Sequence, residues 1–162
     1  MLSHRGAILI SLFSINKGKY VWVGGYGCVD GYTEVYENEK WTALKPYLIY
    51  NTYNVIYHCV TFLPDVNDKF YVLGGLYNNG VSHDQVMEYD FNTNEYTQIT
   101  KIKDGLAAHG CTGLVLDNGQ RFLVTVGGHV NSEPTSKFLF FFYKKTWNKR
   151  NCFPCTIKSD LK

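Results

Sequence analysis

Residues 70–75 read Phe70-Tyr71-Val72-Leu73-Gly74-Gly75. Four consecutive apolar residues of high β-propensity end at two glycines. The run is too short for a helix and reads as a buried strand stopped by a turn that needs positive φ. The same design occurs twice more. Tyr20-Val21-Trp22-Val23 precedes Gly24-Gly25, and Leu123-Val124-Thr125-Val126 precedes Gly127-Gly128. The glycine pairs stand 50 and 53 residues apart.

Working outward, other features recur in the same order. A histidine lies upstream each time: His4, His58 and His109. Each opens an apolar run: Ala7 to Phe13, Cys59 to Leu63, Cys111 to Leu116. Downstream come Glu34-Val35-Tyr36, Val86-Met87-Glu88-Tyr89 and Phe138 to Tyr143. A last aromatic closes each unit: Trp41, Tyr96 and Trp147. Four strand signals per unit at a period near 50 are the mark of a propeller blade. Asp65 to Asp68, Asp117 to Gln120 and Asp90 to Glu95 supply short turns, and Asn118-Gly119 is a hairpin signal. The expected strands are 7–13, 19–24, 33–37 and 40–44; 57–63, 69–74, 85–90 and 95–99; and 110–116, 121–127, 136–143 and 146–150.

The pattern resembles the kelch repeat, whose signature is a strand ending in Gly-Gly, then Tyr-Asp, then Trp. The second unit fits best, with Gly74, Gly75, Tyr89, Asp90 and, in place of Trp, Tyr96. The first keeps Gly24, Gly25, Tyr36 and Trp41 but carries Glu37 for Asp. The third keeps Gly127, Gly128 and Trp147 but has a phenylalanine run for Tyr-Asp. The resemblance implies an all-β fold: a kelch-type β-propeller segment of three four-stranded antiparallel blades. The repeat region is 4–154, with blades at about 4–53, 54–106 and 107–154 and a tail at 155–162. The late aromatic is expected to wedge between adjacent blades. Propellers close with about 4–8 blades, so three imply an incomplete ring. It is completed by a longer parent chain, or by a second copy in a homodimer.

Composition agrees. Thirteen Tyr, 10 Phe and 15 Gly against 4 Pro suit strands and tight turns, and 19% charged residues argue against disorder. A net charge of +2 is too mild for a nucleic-acid partner. No apolar run is long enough to span a bilayer as a helix. Five scattered cysteines, an odd number, read mostly as free thiols in a reducing compartment, which makes the chain cytoplasmic. The alternative is secretion, if residues 1–14 are a signal peptide rather than a strand.

No catalytic motif stands out, so the chain is not read as an enzyme. Cys152-Phe-Pro-Cys155 lacks the following helix of a redox pair and the second pair of a zinc site. His4, His58 and His109 occupy equivalent points of successive units and are expected to be structural, with no metal or other cofactor. Cys59 and Cys111 are likewise expected in the core.

Function is expected where long loops cluster. In an up-and-down blade the second-to-third loops (26–32, 76–84, 129–135) and the connections between units (45–56, 100–109) share one end. Tyr26, Tyr32, Tyr50, Asn51, Tyr77, Asn78, His83, His129 and Asn131 stand there. Tyr gives contact area at low entropy cost and Asn gives adaptable hydrogen bonds. The expected role is recognition of a protein or peptide partner. Kelch propellers serve this way in ubiquitin-ligase substrate adaptors and other scaffolds. The three arginines all lie outside these loops, which disfavours an acidic ligand. The alternatives are a galactose-oxidase-like or carbohydrate-binding propeller and an extracellular kelch module.

Overall fold

A computed structural model describes residues 13–15, 19–23, 33–47, 55–77, 80–136 and 138–143. They are all-β, in several small antiparallel sheets, none of them closed. The first sheet runs in chain order: β1 (Phe13–Ile15), β2 (Lys19–Val23), β3 (Thr33–Glu37) and β4 (Lys40–Ala43). Next come β5 (Val55–Ile56), β6 (Cys59–Thr61), β7 (Lys69–Leu73), β8 (Leu76–Tyr77), β9 (Gln85–Asp90) and β10 (Glu95–Lys101). Strands β6, β7, β9 and β10 form the second sheet in that order, while β5 pairs with β8 outside it. The third sheet comprises β11 (Gly110–Val115), β12 (Arg121–Val126) and β15 (Phe138–Tyr143). A separate hairpin joins β13 (His129–Val130) to β14 (Glu133–Pro134).

The strand positions follow the repeat closely. The first sheet's opening strand begins at Phe13, at the edge of the expected 7–13. Residues 7–12, the fourth strand expected at 146–150, and Gly24, Gly25 and Trp147 lie outside the described residues. Three expected loops are instead partly ordered in two β-pairs, β5 with β8 and β13 with β14. Asn131 (φ 48°) and Ser132 (φ 72°) make the second of these, because two successive positive φ values match the twist of a two-residue hairpin. Asn38 and Glu39 do the same between β3 and β4.

Turn chemistry fixes the rest. The Asn118 side chain accepts from the Gln120 amide at 3.0 Å, and Gly119 takes φ 77°. Asp90 accepts from the Asn92 amide at 2.8 Å, which starts the β9–β10 turn.

Phe70, Tyr71, Val72 and Leu73 are all fully buried, although their side chains alternate between the two faces of the sheet. On one face Phe70, Val72 and Tyr89 cluster with Val21, Val23 and Val35 of the first sheet and with Tyr47. On the other, Tyr71, Leu73 and Val86 cluster with Leu123 of the third sheet and with Leu63, Ile102 and Leu106. The second sheet is thus the middle layer of three.

Tyr96 packs between the second sheet and the first. Its ring lies 4.9 Å from Tyr89 and 5.1 Å from Tyr47, and its hydroxyl shares a 2.7 Å hydrogen bond with the Thr33 hydroxyl of the first sheet. Trp41 does not match the expected wedge. Its ring lies tilted against Tyr36 at 5.2 Å but stays 41% exposed, because its face of the first sheet points away from the second.

The junction between the second and third sheets is covalent. Cys59 and Cys111 form a disulfide with Cα atoms 6.0 Å apart. This corrects the expectation of free thiols for these two residues. Equivalent positions on neighbouring strands β6 and β11 come close enough to bond. Gly113 permits the approach: a Cβ there would lie 1.9 Å from the Phe62 carbonyl oxygen. Arg121 adds a two-pronged ion pair to Asp65, with Nε at 2.8 and 3.0 Å from the carboxylate oxygens.

Candidate binding face

The Gly-Gly turns place a set of connections at one end of the sheets. Gly74 (φ 58°) and Gly75 (φ 118°) end β7, and a Cβ on Gly74 would stand 2.1 Å from the Leu106 carbonyl oxygen. No other residue fits that corner. The Gly75 amide donates to Leu106 O at 2.7 Å and the His83 amide to Gly75 O at 2.7 Å. The turn therefore ties loop 76–84 to the connection before the third sheet.

Further bonds join these connections to one another. Strand β5, from the connection before the second sheet, pairs with β8, from the second-to-third loop. Ala107, from the next connection, pairs with His129 through two bonds of 2.8 and 2.9 Å. Asn131 and Ser82 clasp the two second-to-third loops: the Asn131 amide donates to Ser82 Oγ at 2.8 Å, and the Ser82 amide to Asn131 Oδ1 at 3.3 Å. The Ala108 amide donates to Tyr57 O at 2.8 Å. The described parts of these loops thus form one hydrogen-bonded rim.

Of the residues singled out in the sequence, His129 and Asn131 are exposed on this rim and Tyr77 is half-buried. Tyr26, Tyr32, Tyr50, Asn51 and Asn78 lie outside the described residues, as do His4, Cys28, Cys152 and Cys155. His83 is 0% exposed, so its side chain cannot reach a partner. Its Nδ1 donates to Gly74 O at 3.2 Å, and its ring meets Tyr77 edge-on at 4.9 Å. It is a strut beneath the rim rather than a contact residue. Two features of the rim were missed in the sequence. Val81 is an exposed apolar side chain at the turn closed by the Tyr77 amide, which donates to Val81 O at 2.9 Å. The β13–β14 hairpin exposes Ser132, Glu133 and Pro134. The Asn131-Ser132 pair was the available signal for that hairpin.

Three histidines meet around Gly74-Gly75, His83 and His109 buried and His58 half-buried. Besides His83, His58 donates from Nε2 to Val23 O at 3.0 Å. Atom Cε1 of His109 lies 3.1 Å from where a Gly74 Cβ would stand. Tyr57 (φ 55°) and Ala108 (φ 51°) precede His58 and His109 in the same left-handed conformation, so the two histidines are structurally equivalent. Neither ring nitrogen of His109 has a hydrogen-bond partner, nor does Nε2 of His83. Burial lowers the pKa of all three, to about 4 for His83 and His109, and a charge on His58 would oppose both. They are neutral at pH 7. Among the described residues, no group of three His, Cys, Asp or Glu could hold a metal ion.

No protein-family model matches the chain, and no curated protein matches it.

These histidines make the fold acid-sensitive. Their folded pKa values lie below the unfolded value of about 6.5, so stability is complete above that pH and falls as pH drops toward 4. Each of His83 and His109 contributes a loss of up to about 3 kcal/mol. Urea unfolding midpoints are expected to be level above pH 7 and to drop between pH 6.5 and 4, with a shallower drop for His83→Gln. A midpoint that holds steady to pH 4.5 contradicts the assignment.

Proposed function

We propose that the three sheets are successive blades of a kelch-type β-propeller segment, and that the chain is a protein-interaction module. It takes a protein or peptide partner on the rim that carries Val81, His129, Asn131 and the β13–β14 hairpin. The observation that carries this reading is the mutual pairing of the long connections at one end of the sheets. Loops that hydrogen-bond to one another present a fixed surface instead of a fluctuating one. That surface sets an apolar side chain, Val81, among amide, imidazole and carboxylate groups. Such a mixture suits a neutral or mixed peptide: apolar contact supplies affinity, and the polar groups fix register.

Peptides selected from a displayed random library on the full chain test this reading. Val81→Asp is expected to weaken their binding at least tenfold, because it buries a carboxylate under the ligand, and to leave the unfolding midpoint unchanged. Selected peptides that bind Val81→Asp as tightly as the parent chain rule out the rim. Binding to a glycan array in place of peptides would favour the carbohydrate-binding alternative.

The disulfide favours a second reading for the compartment. We infer that the chain folds where cysteines are oxidised, as an extracellular module does. Cys59 and Cys111 close a loop across a sequence separation of 52 residues. A cross-link of that span stabilises by about 4 kcal/mol through the entropy of the unfolded chain. Dithiothreitol is expected to lower the unfolding midpoint of the parent chain and to leave that of Cys59→Ser/Cys111→Ser unmoved. Equal midpoints with and without reductant in the parent chain would return it to a reducing compartment.

A further inference from the structure

The two ends of the sheet stack carry the two halves of the contact that its middle already makes. Within the chain, the second sheet seats a cross-strand aromatic ladder on the first. Phe70, Tyr89 and Tyr96 stand opposite one another in register, with ring separations of 4.6 and 4.9 Å. The surface receiving them includes Val21 and Val23, three residues and one residue before Gly24.

The first sheet carries the same ladder on its opposite face. Tyr20, Tyr36 and Trp41 are paired in register, with ring separations of 6.2 and 5.2 Å. Trp41 is 41% exposed there. The third sheet carries the receiving surface. Val124 and Val126 stand three residues and one residue before Gly127. Leu123 faces the second sheet, so alternation turns Val126 outward, together with Leu114, which shares the face of its partner Phe122; Val124 lies on that same face but is itself only 4% exposed. Leu116 continues that alternation. Leu114, Leu116 and Val126 are 39%, 45% and 41% exposed. Their inner counterparts Val23 and Leu73 are buried. Five large apolar side chains are exposed among the described residues, and four of them lie on these two faces.

We propose that two copies of this chain pair head to tail, the outward face of the third sheet in each covering the Tyr20–Tyr36–Trp41 ladder of the other. Each junction then repeats the contact between the first and second sheets. The register match between the two end faces and that internal junction identifies the occupant as a second copy. Closure rests on the propeller reading. If each sheet is a blade, three make half of a six-bladed ring, and a contact used twice closes it.

Sedimentation equilibrium of the full chain tests this. The expected mass is twice 18.6 kDa. Trp41→Lys and Leu114→Lys are each expected to be monomeric, with near-ultraviolet circular dichroism showing that they remain folded. Leu116→Lys, beside the β11–β12 turn, replaces Leu114→Lys if that variant fails to fold. A parent chain that is monomeric at its highest soluble concentration overturns the pairing and leaves the propeller reading standing. Open polymers overturn the closed pair and, with it, the propeller geometry. A Trp41→Lys variant that stays dimeric while Leu114→Lys dissociates overturns the head-to-tail arrangement, because the third-sheet faces would then be pairing with each other.

Discussion

Burial of β7 on both faces is the constraint on which the rest of the structure depends. An antiparallel strand commonly shows one face to water and alternates apolar with polar residues. Phe70-Tyr71-Val72-Leu73 has no polar position, so each face needs its own cover. The first sheet covers Phe70 and Val72, and the third covers Tyr71 and Leu73. At about 25 cal/mol per Å² of apolar surface, burial of four such side chains outweighs any single hydrogen bond or ion pair in the molecule. The disulfide, the Arg121–Asp65 pair and the Tyr96–Thr33 bond sit at the edges of these two layers and hold their register.

The end of the same strand sets the rim. Gly74-Gly75 turns the chain so sharply that the backbone of loop 76–84 falls against Leu106. Three histidines then fill the space around the glycines, and their neutral rings permit close packing without a counter-charge. The rim is therefore built on the core. Changes that disturb the histidines act on stability first and on the exposed surface only through it.

Much of the fold was legible because it repeats. The glycine pairs at 74–75 and 127–128, the spacing of His58 and His109, and the aromatic at Tyr96 each marked a distinct structural position. What escaped was tertiary in origin. His83 lies in a loop rich in polar residues and reads as exposed, yet the Gly74 carbonyl and the Tyr77 ring enclose it. Cys59 and Cys111 read as core thiols because nothing in a count of five cysteines shows that two strands bring them within bonding range. Trp41 reads as a wedge because it is the last aromatic of its repeat unit, but no other described sheet packs on its face. The pairing of β5 with β8 escaped because two-residue strands leave no periodicity to detect.

The central claim is that the second sheet lies between two others, and adjacent positions of β7 test it directly. Val72→Ala and Leu73→Ala are made singly and their unfolding free energies measured in urea. Val72 and Leu73 point to opposite faces, so a middle layer predicts a loss of about 2–4 kcal/mol for each. A sheet with one solvated face would lose stability at only one of the two, and that result would contradict the account.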